Sequence, residues 1–90
     1  MKVYEIDGND FSNIDGFYDE ITKKLITPGQ FWGRNLDAFN DILTGGFGTP
    51  DEGFEFVWIN SEKSKKDLGD KFNTIVDIVR DHSVIKLKLL

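Results

Sequence analysis

Five of the six residues from position 54 to 59 are apolar and β-prone: Phe54, Phe56, Val57, Trp58 and Ile59. A run this short suits a strand better than a helix, and its consecutive side chains point to alternate faces of a sheet. Both faces are therefore expected to be covered, as in the centre of a parallel sheet. Parallel neighbours need long crossover connections, usually helical. This one run steers the chain toward the α/β class, provided helices lie on either side of it.

They do. Val3, Tyr4 and Ile6 make a β-prone opening, closed by the turn chemistry of Asp7-Gly8-Asn9-Asp10. Phe11, Ile14, Tyr18, Ile21 and Leu25 then recur at steps of three and four, the period of a helix. Ser12 is the expected N-cap, with Asp15 as its capping-box acid. Thr27-Pro28-Gly29 stops the helix. A second helix is predicted from Asn35 to Thr44, capped by Asn35 and ended by Gly45. After the apolar strand, Ser61 or Ser64 opens a short helix that Gly69 interrupts. A longer helix follows over Asp70–Arg80, and Val84–Leu90 closes the chain as a strand. The expected fold is a single domain over residues 1–90, a three-stranded parallel sheet with flanking helices.

Ninety residues suffice for one small core, and 29 of them are Leu, Ile, Val or Phe, which excludes a disordered chain. The formal charge is −5 with the single His neutral. An acidic chain lacks the Lys and Arg that neutralise phosphate, so nucleic acid is not an expected ligand. An anionic membrane surface is a poor match on the same sign, and the charge favours a basic protein if the partner is charged. There is no cysteine, hence no disulfide and no thiolate metal site. The charged, alternating N-terminus is unlike a signal peptide, so a cytoplasmic location is expected. When free, the protein is expected to be a monomer.

Enzyme signatures are sparse. One histidine, His82, cannot make a two-His metal site, and at the end of the last helix it is expected to face solvent or the helix dipole. No metal or cofactor is expected. The Gly45-Gly46-Phe47-Gly48 run is no phosphate cradle: it follows a helix, lacks Gly-Lys-Ser/Thr and leads into Asp51 and Glu52. It reads as a flexible connection or a binding loop.

Between Asn35 and Glu62 stand Asp37, Asp41, Asp51, Glu52, Glu55 and Glu62, with no Lys or Arg among them. On a helical wheel of about 100° per residue, Leu36, Phe39, Ile42 and Leu43 gather on one side, while Asp37 and Asp41 fall near 100° and 140°, almost opposite. Like charges four apart are mildly unfavourable within a helix. The arrangement fits a solvated face, or a surface for a cationic groove in which carboxylates stand in for phosphates.

The segment Phe31-Trp32-Gly33-Arg34-Asn35-Leu36-Asp37-Ala38-Phe39-Asn40-Asp41-Ile42-Leu43-Thr44-Gly45 resembles the signature helix of the barstar family, small inhibitors of secreted bacterial ribonucleases such as barnase. The resemblance implies a three-stranded parallel sheet with flanking helices, no catalysis, and a basic ribonuclease as partner. Family members plug the nuclease active site with this helix and the loop before it. By position, Asp41 takes the place of substrate phosphate, Asp37 is a second interface acid, and Asp81 is an acid at the rim. Phe31 corresponds to an interface aromatic and Gly45 to a contact glycine. Asn40 and Gly46 stand where the family's example has tryptophans. Phe31 replaces a tyrosine, and Arg34 replaces an acid, bringing a positive charge beside the surface. These departures imply a retained mode with a different cognate nuclease, or a weaker fit to barnase itself. The alternative is a binding or immunity module on the same scaffold for a partner that is not a ribonuclease.

Overall fold

In the computed structural model, which describes residues 1–90, three strands form one sheet in the order β1 (Val3–Asp7), β2 (Phe54–Ile59), β3 (Ile85–Leu89). Both pairings are parallel, with Tyr4 opposite Phe56 and Phe56 opposite Leu87. A single 3-10 turn (Gly8–Asp10) follows β1. Helices α1 (Ile14–Leu25) and α2 (Leu36–Ile42) connect β1 to β2, and α3 (Ser61–Leu68) and α4 (Asp70–Arg80) connect β2 to β3. The expected parallel α/β sheet and the break at Gly69 are both present.

The expectation that both faces of β2 are covered needs correction. Phe54, Phe56 and Trp58 are fully buried on one face. On the other, Val57 is buried but Glu55 and Ile59 are only half-buried. The same outer face carries Val3, Glu5, Lys86 and Lys88, all exposed. The reason lies in the strand order. Two successive right-handed crossovers that step the sheet in one direction place their helices on the same side. The outer face is held by charge instead: Lys88 Nζ lies 2.9 Å from Glu55 Oε1. That contact keeps the Glu55 carboxyl below its ordinary pKa.

The core lies between the inner face and the helices. Trp58 stacks on Phe17 of α1 at 5.3 Å and meets Phe72 of α4 at 5.0 Å. Its indole N–H donates to the buried Ser64 Oγ at 3.0 Å, which satisfies the one polar atom that burial would otherwise orphan. Phe39 of α2 meets Phe17 edge-on at 5.4 Å, so α2 joins the same core.

Two boundaries differ from expectation. The N-cap of α1 is Asn13, whose Oδ1 accepts from Gly16 N–H at 2.8 Å. Ser12 stands outside the helix, and its hydroxyl accepts from Lys63 Nζ instead. Helix α2 stops at Ile42, not Thr44, because the chain tightens there: Thr44 and Gly45 donate to the carbonyls of Asp41 and Ile42, three residues back.

Candidate functional site

Helix α2 is only seven residues long, too short to persist alone in water. Several attachments hold it. Asn35 Oδ1 accepts from Ala38 N–H at 2.8 Å, the expected cap. Phe39 and Ile42 are buried at 0 and 1% exposure. At the far end the Thr49 hydroxyl donates to Ile42 C=O at 3.0 Å.

Asp37 and Asp41 project from the opposite side and are exposed. The ion pairs of the chain are Arg34–Asp19, Lys63–Asp67 and Lys88–Glu55, so neither aspartate is neutralised from within. The acidic tract seen in the sequence divides in space. Glu55 is on the outer sheet face and Glu62 on α3, whereas Asp37 and Asp41 remain together on α2.

Arg34 does not point toward this surface. Its backbone takes a left-handed φ of 52° and its guanidinium turns back onto α1. There Nη2 donates to Asp19 Oδ1 at 2.7 Å and Nη1 to Thr22 Oγ1 at 3.3 Å. The positive charge expected beside the acids is committed to α1.

Phe31 is 91% exposed, more than any other large apolar side chain of the chain. Its neighbour Trp32 is half-buried: the indole packs edge-on against Tyr18 at 5.5 Å and donates to Thr22 Oγ1 at 2.8 Å. Between them and α2 lies a pocket of about 280 Å³, lined by Phe31, Trp32, Gly33, Ala38, Asp41, Ile42 and Phe47. Two site residues, Phe31 and Asp41, therefore share one concavity with three aromatic walls and a single carboxylate.

Phe47 was not among the expected site residues. It comes from the Gly-rich loop, which is fastened rather than free. Thr27 N–H donates to Phe47 C=O at 2.8 Å, and the Tyr4 hydroxyl to Gly48 C=O at 3.3 Å. Gly45 occupies a positive φ of 104°, and a Cβ there would collide with the Asp51 carboxylate. Its glycine is thus required by the fold itself. Gly46 is exposed and would have open space around a Cβ.

The remaining expected residues lie on the opposite flank of α2. Asp81, just past α4, is exposed. The next residue, His82, is half-buried rather than solvated, and its Nε2 lies 2.7 Å from Asn40 Oδ1 on α2. Asp81 is thereby held near α2, and Asn40 is attached to a second element. A link across 42 residues leaves no trace in local spacing.

Comparison with known proteins adds an independent line. The family model described as Barstar (barnase inhibitor) matches residues 1–85. A protein of Bacillus subtilis (strain 168) named "Putative ribonuclease inhibitor YrdF" is 36% identical over 81 residues, covering 90% of this chain and 85% of that relative. A match along nearly the whole chain, to a family whose sheet topology is the one seen here, makes this protein a member of the barstar family.

Proposed function

We propose that this protein inhibits a basic bacterial ribonuclease by seating α2 and the loop before it in the nuclease's active site. The mechanism is occlusion and charge mimicry. Asp41 and Asp37 present carboxylate oxygens to the cations that otherwise hold RNA phosphates, each a match for an Arg fork. Phe31 supplies apolar contact area. The pocket behind it, with aromatic walls and Asp41 at its edge, suits a flat or cationic side chain of the nuclease. Asn40, Gly45, Gly46 and Asp81 complete the contact surface.

The observation that carries this reading is that Asp37 and Asp41 are exposed together while every internal ion pair lies elsewhere. Such a surface attracts a cationic cleft over a Debye length, about 8–10 Å at physiological salt. Much of the positive charge of the chain lies on other elements, with Lys63, Lys65 and Lys66 on α3 and Lys86 and Lys88 on β3. That separation orients encounter as well as speeding it.

The test mixes the protein with barnase, or with a basic ribonuclease that co-purifies with it, and follows RNA cleavage. Inhibition is expected, Asp41→Ala should relieve it, and the association rate should fall as salt rises. Inhibition that Asp41→Ala leaves intact would remove that residue from its assigned role. Capture of a partner without ribonuclease activity would favour an immunity module on the same scaffold.

A further inference from the structure

Asn40 sits on α2 between the core and the acidic side, one residue before Asp41. Its neighbours Asp37 and Asp41 offer only acceptor oxygens when ionised. Asn40 could offer either an acceptor or a donor, depending on how its amide is turned. The side chain it meets is His82. With the Asn40 amide placed as it is, Oδ1 toward the ring at 2.7 Å, the contact is a hydrogen bond when His82 Nε2 carries the proton and donates, because an amide oxygen cannot. The imidazole is itself on a firm mount: His82 N–H donates to Val79 C=O at 3.1 Å, and His82 C=O accepts from Ile85 N–H at 3.0 Å. Helix α4 and strand β3 thus fix the backbone that carries the ring.

From this geometry we infer that His82 is a positioning residue that sets the hydrogen-bond polarity of the binding face. By occupying Asn40 Oδ1 it turns the Asn40 NH2 group outward, and no other group of the chain accepts from that NH2. The face then reads acceptor, donor, acceptor along Asp37, Asn40 and Asp41. A partner that fits it carries cations opposite the two aspartates and an acceptor, a main-chain carbonyl or a hydroxyl oxygen, opposite Asn40. A uniformly cationic cleft fits less well. The inference rests on the inhibitor reading and specifies what the partner must present.

The experiment has one arm on the free protein and one on the complex. In the free protein at about pH 8, 15N NMR should find His82 protonated on Nε2 and bare on Nδ1. In the complex, barnase is the probe and the inhibition constant the readout. His82→Gln keeps a donor near the position of Nε2 and should bind within about twofold of the native protein. His82→Ala frees the Asn40 amide and should weaken binding about 2- to 13-fold. Asn40→Asp keeps the link to His82 but replaces the outward donor with an acceptor. It should weaken binding about fivefold or more, even though it adds an acid to a face that attracts cations. Tighter binding by Asn40→Asp would overturn the inference, and so would equal losses for His82→Gln and His82→Ala. If the native protein does not bind barnase, the inhibitor reading fails for that nuclease. The NMR arm then judges His82 alone: an Nδ1-protonated ring overturns its role, and an Nε2-protonated ring supports it.

Discussion

Phe31 and Phe39 stand eight positions apart around the same helix start, and the inhibitor reading requires opposite behaviour from them. Phe31 is 91% exposed, and Phe39 is fully buried against Phe17. Burying a Phe side chain is worth about 1.5–3 kcal/mol relative to leaving it in water. In the free protein Phe31 has realised almost none of that gain, so nearly all of it remains for a partner. Phe31→Ala should leave stability within about 0.5 kcal/mol of native, under about 4 °C in Tm for a chain this size. The same change should raise the dissociation constant about 10- to 150-fold. Phe39→Ala opens a cavity in the core and should cost about 3–5 kcal/mol of stability. That is a large part of the 5–15 kcal/mol typical of small domains. Thermal melts and inhibition titrations on the two variants make the comparison. The reasoning fails if Phe31→Ala inhibits as well as native, or if it melts as early as Phe39→Ala.

Two further outcomes follow from the geometry. Gly45→Ala meets both a positive φ of 104° and the Asp51 carboxylate, so it should destabilise by about 1–3 kcal/mol in urea titrations, and adding Asp51→Ala should restore only part of the loss. The hydrogen bond from Lys88 holds the Glu55 carboxyl below its ordinary value of 4.5. A lowered folded-state pKa stabilises the fold above the unfolded value and loses that contribution as pH falls through the folded one. The urea midpoint of the native protein should therefore drop more steeply below pH 4.5 than that of Glu55→Gln.

Much of the fold was legible because local and long-range preferences agree. The apolar run at β2, the three-and-four spacing of α1, the range of α4 and the Asn35 cap each match the structure. The open sheet face was legible too, but in the wrong strands. β1 alternates Tyr4-Glu5-Ile6-Asp7 and β3 alternates Lys86-Leu87-Lys88-Leu89, the pattern of a sheet wet on one side. The nearly continuous apolar run of β2, broken only by Glu55, argued the other way, and Val57 and Ile59 lie on the wetter face. At Asn13 and Ser12 two good caps stand side by side, and the choice falls to Lys63, fifty residues away, which engages the Ser12 hydroxyl. The shared exposed face of Asp37 and Asp41 was readable from helical geometry, while their assignment to a binding surface came from the family resemblance. Phe47 was hidden by its glycines, and Arg34 by a backbone turn that no charge pattern reports.

The attachments of α2 explain how so short and so charged a helix is held in place. Asp37 and Asp41 repel each other slightly, and a seven-residue helix gains little from its own hydrogen bonds. The stabilising contacts are therefore external to it. Phe39 and Ile42 anchor one side in the core, Asn35 and Thr49 satisfy the two ends, and His82 grips the flank through Asn40. None of these contacts uses either aspartate. The carboxylates are left free because other residues do the holding, and on the proposed inhibitor reading a surface already held before encounter loses less entropy on binding.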